Sequence, residues 1–147
     1  MRIYGDTRSG NCYKLQLLLS LLGKTCEWID VDIMKGETRA PSFLEKTPNG
    51  KIPLLELDDG RVLSESNAIM HYLASNTPLI PSSPYSFSQL LQWQFFEQYS
   101  HEPYIAVARY INVYLGLPED RKAEYESKQA GGYRALAVME HQLKTTP

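Results

Sequence analysis

The residues best suited to binding chemistry lie in two short stretches, residues 49–60 and 63–69. In the first, Pro53 stands at the start of an apolar strand pattern. Because proline cannot donate to a strand ladder, the backbone of the preceding Ile52 is left to bond another partner. In the second, Glu65-Ser66 marks a helix start, where unpaired backbone N–H groups suit an anion. Together the two stretches predict a cradle for a small peptide-like anion.

Glu65 and Ser66 offer complementary groups. Ser66 can present its backbone N–H and its hydroxyl to a carboxylate, and Glu65 can pair with an ammonium group. The alternative is a simple helix cap beside a solvated carboxylate. Similarly, the Ile52–Pro53 peptide can be cis, which is rare and usually serves a purpose, or an ordinary trans bond at a strand start. The residues alone leave both choices open.

A third stretch, residues 7–14, joins the first strand to the first helix. Ligands of open α/β sheets bind at the carboxyl ends of strands, where this loop lies. A hydroxyl such as that of Ser9 can donate to a thiolate, and the helix dipole stabilises the same charge. An N-cap role for Ser9 or Asn11 is the alternative. Cys12 could be a reactive thiol, although a buried packing role is the more common one for a cysteine in a first helical turn.

The surrounding pattern predicts an α/β thioredoxin-like N-terminal domain at residues 1–76, with the order β-α-β-α-β-β-α. We expect strands at 1–4, 26–31, 53–57 and 62–63, and helices at 12–22, 38–46 and 66–75. A Pro- and Ser-rich linker follows at 77–88. A truncated all-α C-terminal domain at 89–147 then holds two helices, 89–115 and 119–144. Pro103 should kink the first, and Gly131 and Gly132 should each weaken the second by about 1 kcal/mol.

Composition narrows the function classes. The chain has 147 residues, is 43% hydrophobic and 22% charged, and carries a formal net charge of −2, which is ordinary globular usage. The charge argues against nucleic-acid binding, and no apolar run reaches membrane-spanning length. The two cysteines, Cys12 and Cys26, lack redox or zinc spacing, and the three histidines are dispersed, so we expect no metal site. A reduced, cytoplasmic protein is the expectation.

The motifs at residues 9–14 and 49–69 resemble those of bacterial cytosolic glutathione S-transferases of the theta-, zeta- and nu-like classes. The resemblance implies that glutathione binds as co-substrate and that the Ile52–Pro53 peptide is cis. It also implies that Ser9 donates to the thiol, as a serine does in theta- and zeta-like classes, whereas Asn11 matches a nu-like asparagine. The implied glutathione-binding residues are Ser9, Asn11, Lys35, Lys51, Ile52, Pro53, Glu65 and Ser66.

The same resemblance implies a function in detoxification, in which the glutathione thiol attacks a small electrophile. The alternatives are glutathione-dependent disulfide or peroxide reduction, and a non-catalytic interaction module. Tyr99, Tyr104 and Arg109 are candidates for the electrophile site. Family members pair as homodimers through the helices that correspond to residues 66–75 and 89–115, where this chain carries the aromatic residues Tyr72, Trp93, Phe95 and Phe96.

Overall fold

The computed structural model describes residues 1–146, which fold as two compact units. The first unit runs from Met1 to Pro81, and the second begins at Ser82.

The first unit is built on a four-stranded sheet of β1 (Arg2–Gly5), β2 (Glu27–Asp30), β3 (Leu54–Glu56) and β4 (Val62–Leu63), in the order β2-β1-β3-β4. β1 runs parallel to β2 and antiparallel to β3, and β4 is antiparallel to β3. Helices α1 (Gly10–Leu21), α2 (Pro41–Leu44) and α3 (Ser66–Ala74) complete the unit. This arrangement confirms the thioredoxin-like order expected from the sequence.

The sheet buries side chains on both faces because successive strand residues point to opposite sides. On one face, Ile3 and Leu55 are fully buried against residues of α1 and α3, chiefly Leu15, Leu18, Leu19, Ile69 and Leu73. On the other face, Leu54 packs with Val31 and Phe43. The first face therefore fixes α1 and α3 to the same side of β1 and β3.

The helix expected at 38–46 is shorter than the sequence suggested. Two 3-10 turns, at Ile33–Lys35 and Glu37–Arg39, come first, and α2 begins only at Pro41. Ala40 is extended, with φ −62° and ψ 141°, because the residue before a proline is pushed out of the helical region. Gly36 separates the two turns at φ 74°.

In the second unit, α4 (Pro84–Phe96) begins before the expected start at Gln89, so the end of the 77–88 segment is helical. Proline is favoured in the first helical turn because its missing N–H would have no intrahelical partner there. α4 continues through a π-helical segment at Glu97–His101 into α5 (Glu102–Arg109), followed by a second π segment at Tyr110–Tyr114.

The first π segment lies where Pro103 was expected to disturb the helix. A proline clashes with the carbonyl one turn earlier and removes a hydrogen bond. Here the turn is widened instead, and the N–H of Glu102 bonds the carbonyl of Glu97, five residues back. The chain thus passes Pro103 through a π segment.

The last helix, α6 (Lys122–Thr145), packs on α5 through two glycines. A Cβ added at Gly131 would lie 2.2 Å from ring atoms of Tyr104, and one at Gly132 would lie 2.9 Å from Ile105 Cδ1. The propensity cost expected from the sequence is therefore accompanied by a packing role that the sequence did not indicate. The two glycines allow the helices to approach closely.

Candidate functional site

The loop after β1 is held by a buried carboxylate. Asp6 is 6% exposed and accepts from the Arg8 guanidinium at 3.0 Å and 2.7 Å. Its backbone carbonyl accepts from the N–H of Ser9 at 2.9 Å. Ser9 in turn caps α1, since its hydroxyl accepts from the N–H of Cys12 at 3.4 Å. Ser9 is therefore fixed at the start of α1, where the helix dipole favours negative charge.

The starts of α1 and α3 are joined by two side-chain contacts. The Ser66 hydroxyl donates to Asn11 Oδ1 at 3.4 Å, and the Lys14 ammonium donates to Asn67 Oδ1 at 3.3 Å. Ser66 is buried, with 5% of its surface exposed. The structure thus brings Asn11 together with Ser66. Sequence reasoning missed the contact from Lys14 to Asn67, because residues 53 positions apart carry no local signal.

Glu65, just before α3, has an unusual backbone. Its φ is 68° and its ψ 112°. A residue with a Cβ in such a conformation carries strain of about 1–3 kcal/mol, and this kind of strain concentrates at functional sites. Glu65 is exposed and immediately precedes the buried Ser66.

The segment before β3 has the implied geometry. The Ile52–Pro53 peptide is cis. Leu54, the first residue of β3, pairs with Tyr4 of β1, so Ile52 precedes the part of the chain that pairs with β1. Lys51 is exposed, and Pro53 is buried.

Arg39 lies beside Gly50, at the start of this segment, and sequence reasoning missed this neighbour. The φ of Gly50 is 59°, and a Cβ there would lie 2.8 Å from Arg39 Nη1 and 2.9 Å from the Thr38 carbonyl oxygen. The guanidinium of Arg39 also donates to the carbonyl of Asn49 at 3.4 Å. The guanidinium of Arg39 is therefore a cation, in addition to Lys51, close to this backbone. The turn at Glu37–Arg39 places it there, so its position depends on the fold.

Lys35 has a carboxylate neighbour of its own. Its ammonium lies 3.5 Å from Asp32, on an exposed turn, and Asp32 also lies 3.8 Å from the guanidinium of Arg8. The backbone N–H of Met34 holds the pKa of Asp32 below its usual value, with help from Lys35. Lys35 thus pairs within the protein.

Cys12 is a packing residue. It is fully buried, and burial raises the pKa of its thiol above the ordinary value. Its sulfur would lie 3.0 Å from a Cβ added at Gly5, and the ring of Trp28 is also close to that position. Burial disfavours the thiolate, which is the reactive form of a cysteine, so the structure favours the packing role over the reactive-thiol alternative.

The three electrophile-site candidates lie in the second unit and have different surroundings. Tyr99 is 86% exposed. The Arg109 guanidinium stands 5.8 Å from the ring centre of Tyr114. Tyr104 packs its ring on Gly131, so its position is set by the contact between α5 and α6.

Two further features bear on function. Among residues 1–146, no group of three or more His, Cys, Asp or Glu side chains is placed to hold a metal ion. None of the helices in this described part of the chain has the length and apolar character needed to cross a bilayer.

Comparison with known proteins matches this arrangement to one family. The family model described as glutathione S-transferase, N-terminal domain, matches residues 3–85. A solved glutathione S-transferase from Pseudomonas fluorescens Pf-5 is 60% identical, with a TM-score of 0.96 over 99% of this chain and 73% of that one. The glutathione transferase URE2P6 from Phanerochaete chrysosporium, solved with oxidized glutathione, is 31% identical, with a TM-score of 0.84 over 97% of this chain and 67% of that one.

A curated relative belongs to a longer protein. Elongation factor 1-gamma from Danio rerio is 39% identical over 111 residues, which cover 75% of this chain and 24% of that protein. The chain therefore spans about a quarter of the length of such relatives. The family match covers the sheet, the cis peptide and both helix starts described above. On these grounds, the chain belongs to the glutathione S-transferase family.

Proposed function

We propose that the first unit binds glutathione and stabilises its thiolate for attack on a small electrophile. The observation that carries the proposal is the junction of two helix starts, where the buried Ser66 hydroxyl contacts Asn11 on the first turn of α1. A helix start favours an anion because its first backbone N–H groups are unpaired. The aligned peptide dipoles of the helix also place a partial positive charge there. A zwitterionic peptide with a thiol offers a carboxylate to one start and a thiolate to the other.

The binding assignments follow from the chemistry of each group. The γ-glutamyl carboxylate takes both the N–H and the hydroxyl of Ser66, with the hydroxyl exchanging its contact with Asn11, and Glu65 pairs with the α-ammonium. The cysteinyl backbone of glutathione pairs with Ile52, beside Pro53, in the manner of an added strand. The exposed ammonium groups of Lys51 and Lys35 are the cations assigned to the glycyl carboxylate, with Lys35 exchanging its contact with Asp32.

The reaction needs a sulfur that is already deprotonated. The thiol proton goes to solvent, the sulfur lone pair forms a bond to the electrophilic carbon, and the leaving group departs with its electron pair. Ser9 and Asn11 donate to the sulfur while the start of α1 favours its charge. Lowering the thiol pKa by about two units takes only about 2.7 kcal/mol, within reach of two hydrogen bonds and a dipole. We place this chemistry in the reducing cytoplasm, where Cys12 and Cys26 remain free thiols.

Replacing Ser9 tests the mechanism. Ser9→Ala should raise the pKa of bound glutathione, measured by thiolate absorbance against pH, and slow conjugation to a generic aryl halide. Ser20→Ala, an exposed change at the far end of α1, is the matched control. If the absorbance titration of Ser9→Ala matches that of Ser20→Ala, Ser9 is only a helix cap.

A second candidate function is a non-catalytic interaction module. The observation that favours it is the similarity to elongation factor 1-gamma, of which this chain matches a limited part. The two functions separate in one pair of measurements. Glutathione binding together with conjugation above the uncatalysed rate supports the transferase. Binding without turnover, or no binding, supports the interaction module.

A further inference from the structure

The loop between β1 and α1 buries a negative charge close to the proposed thiolate position. Asp6 follows the last residue of β1 and is 6% exposed. Its backbone carbonyl accepts from the N–H of Ser9, whose hydroxyl is the proposed donor to the thiolate. Because the effective dielectric constant inside a protein is lower than that of water, a carboxylate held here opposes a second anion nearby. The charge of Asp6 therefore disfavours a thiolate beside Ser9 unless a cation balances it.

The sulfur of Cys12 shows that the charge of Asp6 acts on the first turn of α1. Burial contributes most to the raised pKa of the Cys12 thiol. Hydrogen bonds to Ser9 and to the backbone of Asp6 lower this pKa, and the carboxylate charge of Asp6 raises it. Since Cys12 accepts the cap of Ser9 through its own N–H, we expect a thiolate beside Ser9 to experience the same field.

Arg8 carries the balancing charge. Its backbone N–H and its Nε donate to Asp6 Oδ1 at 2.8 Å and 3.0 Å, and its Nη2 donates to Asp6 Oδ2 at 2.7 Å. One guanidinium thus engages both carboxylate oxygens, the bidentate geometry in which arginine pairs best with a carboxylate. The same Nη2 lies 3.8 Å from Asp32, at the start of the turn Ile33–Lys35.

We propose that Arg8 is a positioning residue that neutralises the buried carboxylate of Asp6 and so allows Ser9 to stabilise a thiolate. The inference rests on the proposed glutathione binding and adds to it a residue that acts without touching the sulfur. Removing one partner of a buried ion pair leaves an uncompensated charge. Loss of the Arg8 charge should therefore disfavour the thiolate, and loss of both charges together should not.

Charged groups on the neighbouring elements stay in place when Arg8 is changed. Lys14 lies on α1, Glu65 precedes α3, and Lys35 pairs with Asp32 on the turn after β2. Each of them acts on a thiolate in every variant that alters only the pair of Asp6 and Arg8. A comparison among such variants therefore isolates the charge of Arg8.

The test separates the charge of Arg8 from its hydrogen bonds, with the thiol pKa of bound glutathione read from thiolate absorbance against pH. Arg8→Gln keeps a side-chain donor for Asp6 but removes the charge, so it should lower the thiol ionisation constant about threefold or more. Arg8→Lys keeps the charge with a different donor geometry, so its ionisation constant should stay within about twofold of that of the intact chain. Adding Asp6→Asn to Arg8→Gln should restore the ionisation constant.

Arg61→Gln is the matched control, because Arg61 follows Asp59 by two residues, as Arg8 follows Asp6. Its backbone N–H and Nε donate to Asp59 at 3.0 Å and 2.8 Å, but the pair lies on an exposed turn, where the Asp59 side chain is 52% exposed. Arg61→Gln should leave the thiol pKa of bound glutathione unchanged.

Equal ionisation constants in Arg8→Gln and Arg61→Gln would overturn the inference, as would a loss in Arg8→Lys that matches the loss in Arg8→Gln. Failure of Asp6→Asn to restore Arg8→Gln would also overturn it. If Arg8→Gln does not fold, Asp6→Asn alone repeats the test. That variant leaves the Arg8 charge unopposed at this carboxylate position and should raise the ionisation constant, and an unchanged or lowered value would contradict the inference. Failure of the intact chain to bind glutathione would instead overturn the proposed function itself.

Discussion

At the scale of single residues, Glu65 has both a strained backbone and a proposed role in binding. Its positive φ is held at the start of α3, next to the buried Ser66, and its carboxylate is the proposed partner of an ammonium group. Glycine adopts such a backbone without a Cβ penalty, although it also has more freedom to lose on folding. The two properties of Glu65 can therefore be separated by substitution.

We predict that Glu65→Gly and Glu65→Ala weaken glutathione binding equally, because both remove the carboxylate. Glu65→Gly should nevertheless melt at a higher temperature than Glu65→Ala, since only glycine relieves the backbone strain of about 1–3 kcal/mol. Calorimetric titration and thermal unfolding measure the two effects. Equal melting temperatures would mean that the φ of Glu65 carries no strain.

The sequence indicated much of the site at this scale, and the reasons differ from residue to residue. Pro53, Ser66 and Ser9 could be identified from the sequence because proline and helix-capping residues leave local signatures. The orientation of the Asn11 amide could not be predicted, because it depends on a residue 55 positions away. Cys12 was open to two interpretations, and only its burial behind Gly5 decides between them.

At the scale of elements, the half-buried carboxylate of Glu56 joins β1, β3 and the segment that follows α2. Glu56 accepts from the Tyr4 hydroxyl at 2.5 Å, from Lys46 at 2.9 Å and from Arg2 at 3.4 Å. Its side chain is only 12% exposed. The Tyr4 hydroxyl, followed by Lys46, lowers the pKa of Glu56. Lys46 and Leu54 thus hold the two ends of the loop that carries Lys51 and Ile52.

We predict that Glu56→Gln lowers the free energy of unfolding at neutral pH by about 1 kcal/mol or more, as expected for hydrogen bonds to a charged group. The stabilisation comes from a lowered folded-state pKa. It is therefore present above the unfolded pKa of about 4.3 and is lost as the pH falls through the folded value. Urea unfolding at a series of pH values should show the difference from the unmodified chain shrinking toward pH 3.

Glu27→Gln is the control, because Glu27 meets Arg2 at 3.0 Å with its side chain 61% exposed. Exposed pairs contribute little, typically less than about 1 kcal/mol. A Glu56→Gln difference that is independent of pH, or no larger than that of Glu27→Gln, would contradict the role of Glu56.

The contact of α5 with α6 predicts that a Gly→Ala change destabilises the protein, whereas helix propensity alone predicts that it stabilises it. Alanine favours a helix by about 1 kcal/mol over glycine, but a Cβ at Gly131 meets the Tyr104 ring. Overpacking typically destabilises by about 1–3 kcal/mol. We therefore expect Gly131→Ala to lower the melting temperature. Gly132→Ala should lower it less, since its close neighbour is the movable tip of Ile105.

A second substitution identifies the ring as the cause. Tyr104→Leu removes the aromatic ring, so Gly131→Ala should be tolerated better in that background. A higher melting temperature for Gly131→Ala in the original chain would show that propensity dominates.

Element order was well predicted by hydrophobic periodicity, and the exceptions have physical causes. The hydrophobic pattern at residues 38–46 indicated one helix, although Pro41 keeps the backbone of Ala40 out of the helical region. The start of α4 lay inside a Pro- and Ser-rich segment that resembled a linker. The first π segment lies where the chain accommodates Pro103, and both π segments are closed by backbone bonds between residues five positions apart. Periodicity alone contains neither fact.

At the scale of the whole molecule, exposed aromatic surface points to self-association. Tyr72 on α3 is 48% exposed and Phe95 on α4 is 67% exposed, while Trp93 and Phe96 stack edge to face at 5.3 Å. Aromatic residues are enriched at interfaces. We propose a two-fold homodimer in which α3 of one chain meets α4 of the other.

We predict that light scattering over a range of concentrations reports a dimer, and that Phe95→Glu shifts it toward monomer. Tyr133→Glu is the control, since Tyr133 is 70% exposed but lies on α6, outside the proposed contact. A monomer at every concentration, or equal dissociation by both variants, would contradict this arrangement.

The central claim is that the joined starts of α1 and α3 bind glutathione, and calorimetric titration tests it most directly. The chain should bind glutathione, and S-hexylglutathione alongside it, at one site per chain. Ser66→Ala should weaken binding by about 5- to 150-fold, the effect of losing a hydrogen bond to a charged group. Ser75→Ala, at the far end of α3, should leave the dissociation constant unchanged. Absence of binding, or an unchanged dissociation constant in Ser66→Ala, would contradict the account.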